Sequence, residues 1–415
     1  ELALSALPAP GDAAVAEARQ EMQRLLRQAE LRSQALGAAR LLAEAAEADL
    51  QEASAAPLPS ATLNGSGNAT GQRSYGLQQN GQQLRADLTV SAPLFDGGYR
   101  DELVNWRARL LEAARQSELD AREQVALQTL SQALERQRYL LQAEVYERYT
   151  ASMGCLVTAL EQIVAADRGR ASELLQARNT YRQADLALAQ ARSQQRQAEI
   201  RLRRYIGDGT PLPQAPLQAL LAGPPPLQQT LDAAAQASAI AQLGAQAEAQ
   251  QHLTRALRAQ RGPQWNWSVS GTRVAGGTGG AYSAWSGGIS VAVPLLDPTA
   301  KPALAASALR GEASLAQREE ALSQRLARVG ETQEQAESAL DRARRATEVL
   351  QVSQRLRQAT RLQWQQLGRR SLFDVISTEG DFHNLQVTRI NALLDAQQAS
   401  ALLWSLGLGV TSALQ

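Results

Sequence analysis

Hydrophobic and polar residues alternate along residues 84–94, directly before a long helical stretch. Apolar side chains occupy every second position and polar ones lie between them: Leu84, Ala86, Leu88, Val90, Ala92 and Leu94 against Arg85, Asp87, Thr89 and Ser91. A period of two predicts a strand with one apolar and one polar face. Pro93 cannot donate to a neighbouring strand, so we expect pairing to stop there. A turn at 96–98 and helix-forming residues from Arg100 onward then predict a strand that runs straight into a helix.

The same arrangement occurs a second time, in residues 287–297. Pro294 corresponds to Pro93 and Asp297 to Asp96, and the apolar positions match: Ile289, Val291, Val293 and Leu295. The copies lie roughly 200 residues apart, which is too long for a solenoid repeat and suits a duplicated half. Each copy follows another alternating segment, at 61–70 and 264–272. The chain is therefore predicted to contain four strands, as hairpins at 60–94 and 264–295.

Most of the remaining sequence has the composition of long helices. Helices are predicted over 11–56, 100–206, 227–261 and 303–406, with breaks at Gly169 and Gly368. Prolines and glycines in 207–226 predict an irregular bridge between the halves. Leucines and a valine at coiled-coil spacing mark a packing seam: Leu127, Leu130, Leu134, Leu141 and Val145. Both halves are therefore predicted to have the same order of elements: a helix, a hairpin, a long helix, a glycine break and a further helix.

Composition excludes several classes of function. The formal net charge of the 415 residues is only +1, so no nucleic-acid binding is expected. One cysteine cannot form an internal disulfide, and two histidines with one cysteine are too few for a structural zinc site. No turn presents a nucleophile beside a base, so we predict no enzyme, cofactor or metal. No apolar run reaches transmembrane-helix length, and no leader precedes Glu1, so a signal peptide has been removed or the protein is cytoplasmic.

Two isolated hairpins would leave apolar faces and strand edges in water. They can pack on helices in a soluble α+β domain, or strands from several chains can form a closed barrel with its apolar face in lipid. The polar faces carry small Thr, Asn and Ser residues, and aromatic residues lie near strand ends of the apolar faces: Trp265, Trp267, Tyr282 and Trp285. Both features favour the barrel. Two chains would give eight strands with a filled interior, whereas three give twelve and leave a channel, so we expect a homotrimer.

Four sequence segments together resemble the TolC family of outer-membrane export ducts: VSAPLFDGG (90–98), VAVPLLD (291–297), GRASELL (169–175) and GRRSLFDVI (368–376). The resemblance covers about residues 55–410. It implies a mainly helical protein whose trimer forms a twelve-stranded outer-membrane β-barrel, continuous at Pro93 and Pro294 with a helical periplasmic tunnel closed at its tip. It further implies partnership with a periplasmic adaptor and an inner-membrane transporter, driven by ATP or protons.

The same resemblance assigns roles to residues near the tip. Gly169 and Gly368 match the tip turns, Glu173 the first-half carboxylate, Arg370 the second-half arginine, and Asp374 a carboxylate that rings the constriction. Glu173 and Arg370 could form a reversible latch, since a carboxylate–guanidinium pair is specific in geometry yet weak when solvated. Ordinary solvated helix charges are the alternative for all three. Gln365 stands where the family often has a tyrosine, so the closing network is expected to be weaker or rearranged.

Several alternatives remain at this stage. The opening helix resembles members that serve type I protein secretion, which favours a protein cargo over small-molecule efflux. A soluble coiled-coil scaffold or a periplasmic adaptor is the rival from another class. Pro298-Thr299 replaces Gly97-Gly98, so the two joints are expected to differ. No lipidated cysteine is expected at Glu1. Three further residues are interpreted as structural: His252 and His383, for which we expect no acidic partner at ligand spacing, and Cys155.

Overall fold

The computed structural model describes residues 12–74, 77–276, 280–367 and 371–414. The longest helices are α3 (Tyr99–Ala166), α4 (Ala171–Ile206), α7 (Ala300–Leu367) and α8 (Leu372–Leu406). The shorter ones are α1 (Asp12–Arg32), α2 (Gln34–Ala55), α5 (Leu227–Ala235), α6 (Ser238–Ala259) and α9 (Val410–Ala413). The strands are β1 (Ser60–Ser74), β2 (Leu77–Phe95), β3 (Gln264–Gly276) and β4 (Tyr282–Ala292). The predicted mainly helical chain with four strands is confirmed. No helix in the described residues combines the length and hydropathy of a bilayer crossing.

The chain divides into two compact units, each assembled from both halves of the sequence. The first comprises residues up to 38, 119–238 and 322 onward, and the second comprises 39–118 and 239–321. The strands and the starts of α3 and α7 belong to the second unit. The helix ends around 167–171 and 371 belong to the first.

In the second unit, the two hairpins join into one antiparallel sheet with the order β1-β2-β3-β4. The sequence predicted each hairpin, but the pairing between them, in which Val90 lies opposite Val269, is a finding of the structure. Among the described residues, β1 pairs only with β2 and β4 only with β3. The sheet therefore has two edges whose outer backbone groups lack a strand neighbour within this part of the chain.

The register places apolar and polar residues on opposite faces. One row across the four strands consists of Leu63, Leu88, Gly271 and Trp285; the adjacent row consists of Thr62, Thr89, Ser270 and Ser286. The apolar face is open, with Leu63 75% and Trp285 85% exposed. On the polar face the hydroxyls of Ser270 and Ser286 lie 2.8 Å apart. The expected placement of Tyr282 is wrong, because it lies opposite Val274 on the polar side.

Two details of the first hairpin differ from expectation. The polar segment 71–82, expected as a connecting loop, is almost entirely strand, since β1 reaches Ser74 and β2 begins at Leu77. Pro93 does not end pairing either: β2 continues to Phe95, opposite Trp265, after a bulge. A bulge lets the ladder pass a residue that has no N–H to donate.

The two strand-to-helix joints use the same hydrogen bonds despite their different sequences. The Asp96 carboxylate accepts from Gly98 N at 3.1 Å, and the Asp297 carboxylate accepts from Thr299 N at 2.9 Å. Gly97 and Gly98 have φ of 65° and 86°, a left-handed conformation that Pro298 cannot adopt. The backbones therefore differ, yet each 68-residue helix begins three residues after its aspartate.

The helices of the first unit pack through the predicted seam. Leu130 and Leu134 are fully buried, and they belong to one core with residues of α1, α4, α8 and the bridge: Met22, Leu202, Leu217 and Leu394 among them. Residues 207–226 contain no helix or strand.

Two stretches expected as single helices are interrupted. The opening helix breaks at Ser33, whose hydroxyl accepts from Leu36 N at 3.2 Å and so caps α2. The stretch 227–261 is also two helices, with Gln236 and Ala237 between them.

Candidate functional site

The turn between α3 and α4 is built around an aspartate that the sequence analysis did not single out. The Asp167 carboxylate accepts from Gly169 N at 3.0 Å and caps a short 3-10 turn, Arg168–Arg170, that leads into α4. A Cβ at residue 169 would lie 3.1 Å from Asp167 Oδ1, closer than side chains normally approach. This close approach is a physical reason for Gly169 at the predicted tip turn.

Glu173 lies in the first turn of α4, where a carboxylate is favoured by the helix dipole. Its Oε1 is 3.6 Å from Arg170 Nε, and both side chains are partly exposed. Its Oε2 is buried without a hydrogen-bond partner among the described residues. Arg370 and Gly368 lie outside those residues, so the Glu173–Arg370 pairing and the second tip turn stay predictions.

Asp374 has a clear structural task at the start of α8. Ser371 Oγ accepts from Asp374 N, and Asp374 Oδ2 accepts from Ser371 N, each at 3.2 Å. This reciprocal pair is a capping box, which satisfies backbone donors at a helix start. The sequence contains its pattern, a serine followed three residues later by an acidic residue, so this role of Asp374 could have been predicted beside the ring. The ring stays a prediction.

Directly behind these turns lies a small hydrophobic core. Its buried members come from α3, α4 and α8: Met153, Leu156, Leu160, Ala177, Leu372 and Ile376. Trp364 of α7 packs against it. The core thus draws on all four of the long helices.

A buried polar cluster adjoins this core, and the sequence analysis missed it. Glu379 of α8 is 2% exposed and accepts from Arg357 of α7 at 3.3 Å and from Ser152 of α3 at 3.4 Å. His383 of α8 is 4% exposed, and its Nδ1 lies 2.8 Å from the Glu379 backbone oxygen. The Tyr149 ring of α3 stacks on the imidazole at 4.7 Å. We call these five residues the buried cluster.

Burial controls the titration of the aromatic groups in the cluster. It lowers the pKa of His383 below the usual range, against the opposing effect of the Glu379 bonds. Burial also raises the pKa of the Tyr149 hydroxyl, helped by the charges of Glu379 and Asp381. His383 is therefore neutral near pH 7, with a proton on Nδ1 donated to the Glu379 carbonyl.

The expectation that neither histidine has an acidic partner at ligand spacing is wrong for His383. Glu379 stands one helical turn before His383, with its carboxylate 3.9 Å from Nδ1, a spacing that the sequence displays. His252 lies 2.6 Å from Glu102, which is 150 residues away and cannot be found by spacing. Cys155 was expected to be a packing residue, but it is exposed.

No group of three or more metal-ligating residues is formed by the described part of the chain. The histidine pairs above account for both histidines in the sequence.

Comparison with known proteins agrees with this architecture. Residues 25–208 match the family model described as outer membrane efflux protein. A solved structure of CusC superposes with a TM-score of 0.85 at 17% identity, covering 94% of this chain and 92% of that one. The structure of the outer membrane protein VceC of Vibrio cholerae superposes with a TM-score of 0.80 at 18% identity, covering 94% of this chain and 97% of that one. The structure of the open-state MtrE channel of Neisseria gonorrhoeae superposes with a TM-score of 0.79 at 17% identity, covering 94% of this chain and 89% of that one. A sequence search of curated proteins found no match.

Residues 25–208 are thus similar to the outer membrane efflux protein family, and 94% of the chain has the fold of these solved structures. The resemblance inferred from the two joints and the two helix breaks is thereby confirmed.

The buried cluster should matter more to stability than a surface ion pair on the same helix. Replacing Arg357 by leucine leaves the Glu379 carboxylate buried with its cation removed, which we expect to cost about 3–5 kcal/mol and to lower the unfolding midpoint markedly. The measurement is thermal unfolding followed by circular dichroism.

Arg345→Leu is the matched control, because Arg345 pairs with Asp341 at 2.8 Å on the exposed surface of α7. That change should cost no more than about 1 kcal/mol. Equal effects of the two substitutions would contradict the importance assigned to the cluster.

Proposed function

We propose that this protein is the outer-membrane exit duct of a three-part export machine and carries cargo from an inner-membrane transporter to the outside. The observation that supports this most directly is the four-stranded sheet. It has an open apolar face, two edges without a strand neighbour in the described part of the chain, and a direct connection to two 68-residue helices.

The edges argue for a shared barrel. Backbone groups at a strand edge must bond to water or to another strand, and in lipid only another strand is available. The outer side of β1 in one copy can pair with the outer side of β4 in the next. Three copies give twelve strands and a lumen, whereas two would give eight strands and a filled interior. We therefore infer a homotrimer whose polar face lines the channel.

The joints argue for a duct that continues beyond the membrane. Asp96 and Asp297 start helices within three residues of the strands, leaving no flexible linker between barrel and tunnel. A helix of 68 residues is about 100 Å long, at 1.5 Å per residue. That length suits a tunnel that reaches far into the periplasm.

The helix turns argue for a gate at the periplasmic tip. Glu173 and Arg370 would form its latch, and three copies of Asp374 would attract cations into a narrow mouth. The weak Arg170–Glu173 contact, at 3.6 Å and partly solvated, leaves Glu173 able to change partners. The capping box fixes Asp374 at the helix start, which is where a constriction ring would need it.

A periplasmic adaptor and an inner-membrane transporter complete the machine. Two classes of cargo are candidates. The opening helix favours a type I secreted protein, while the description of the matching family as efflux proteins favours small molecules or ions.

The barrel is tested by charging each face of one strand. Leu88→Lys places a charge on the apolar face, at an expected cost of about 2–4 kcal/mol in mid-bilayer, so the outer membrane should contain much less heat-modifiable trimer. Thr89→Lys, one residue along on the polar face, is the control and should assemble normally. A water-soluble monomer, or an equal loss of trimer in both variants, would favour a soluble coiled-coil scaffold.

The latch is tested by conductance in planar bilayers. Arg370→Ala removes the second-half partner of Glu173, so the resting pore should leak more. Arg369→Ala removes the neighbouring charge of the same sign and should leave conductance near the wild-type value. An unchanged Arg370→Ala conductance would count against the latch.

The cargo is tested in cells that lack this protein. Under the type I hypothesis, mass spectrometry of the culture medium loses one or a few proteins, and uptake of a cationic dye such as ethidium is unchanged. Small-molecule efflux predicts the reverse: unchanged medium and higher dye accumulation. Re-expression of the wild-type chain should restore whichever property is lost.

A further inference from the structure

We propose that the buried cluster is a proton-sensitive clasp, in which His383 and the Arg357–Glu379 pair hold α3, α7 and α8 together at neutral pH and release them on acidification. Its location behind a periplasmic tip rests on the proposed function. The contacts that form the clasp do not depend on that location.

The cluster connects three helices through one carboxylate. Glu379 of α8 accepts from Arg357 of α7 at 3.3 Å and from Ser152 of α3 at 3.4 Å. The Arg357 guanidinium also lies 4.2 Å from the centre of the Phe382 ring, which is buried beside His383. Because its side chain is 3% exposed, the carboxylate cannot replace these partners with water.

The imidazole completes the contact with α3. His383 stacks on Tyr149, with an angle of 28° between the rings. A Cβ at Gly380 would lie 3.3 Å from the Tyr149 hydroxyl, so α8 passes very close to this ring. The close approach leaves the imidazole little room to move away from its partners.

Charge balance shows what a proton would do. The groups that face His383 are Glu379 on its own helix, Arg357 from α7, and Arg148 with Tyr149 from α3. Asp381 acts on Tyr149 rather than on the imidazole. Neutral His383 leaves Glu379 balanced by Arg357. An imidazolium would add a buried cation that both arginines repel.

The direction of the pH effect follows from linkage. A solvated histidine has a pKa near 6.5, and burial lowers the pKa of His383 in the clasp. The released state therefore binds more protons than the clasped state between these two values. The clasp keeps its full stability above about pH 6.5 and loses stability as the pH falls toward the lowered value.

The structure provides a built-in reporter. Cys155 of α3, the only cysteine in the sequence, is exposed. It lines the same small crevice as Trp364 of α7 and Glu379. A bimane fluorophore attached to Cys155 in the full-length protein should be quenched by contact with Trp364 and should brighten when α3 and α7 separate.

The experiment follows bimane fluorescence of the detergent-solubilised protein from about pH 7.5 to about pH 5.5, where histidine titrates. The wild type should lose most of its quenching, reversibly. His383→Gln should stay quenched throughout. Trp364→Phe should be bright at both pH values, which shows that the tryptophan is the quencher.

The matched control is His252→Gln, because His252 is the other histidine and pairs with Glu102 in the second unit. It should respond as the wild type does. Glu379→Gln removes the carboxylate that joins the helices and should be bright already at neutral pH, so the clasp remains testable if His383→Gln does not assemble.

Two outcomes would overturn the proposal: a wild type that stays quenched at low pH, or a His383→Gln variant that brightens as the wild type does. Failure of the duct itself would instead appear in the Leu88→Lys and Thr89→Lys comparison, which does not involve the cluster.

Discussion

The rest of the structure depends on one constraint: a sheet with an apolar face and open edges cannot remain alone in water. The register from Leu63 through Leu88 to Trp285 places large side chains on the outside of a single chain. Burying them on the chain's own helices would cover the face but leave the edge strands unpaired. Membrane insertion as a closed barrel satisfies both requirements at once. The strands therefore support the outer-membrane location that we propose.

The helices respond to the same constraint. The aspartates at residues 96 and 297 turn each strand into a helix by the same backbone bonds, although the intervening residues differ. The two joints therefore share the bond from the backbone N–H to the aspartate carboxylate two residues earlier, although their backbone conformations differ. Alanine and leucine in the seam allow the helices to pack closely with few bulky residues.

Charge is used differently at the turns and behind them. Glu173 and Asp374 lie in first helical turns, where the helix dipole stabilises a carboxylate, and the Glu173 side chain is partly exposed. Glu379 is buried and depends on Arg357 and Ser152. Exposed charges can exchange partners at little cost, whereas a buried pair holds one arrangement and is costly to break. A tip that opens by exchange of partners would use the first environment, and a clasp that holds until His383 gains a proton would use the second.

The sequence by itself predicted four strands among long helices and the repeated joints, because hydrophobic period, capping residues and prolines act within a few residues of one another. The class of channel came from the resemblance of four segments to a known family. The sequence could have revealed the Ser371–Asp374 capping box and the Glu379–His383 spacing, which are equally local. Only the tertiary structure decided that β2 pairs with β3 and that His252 contacts Glu102. Those contacts join residues far apart in the chain, and their geometry depends on how whole strands and helices pack, which no local pattern encodes.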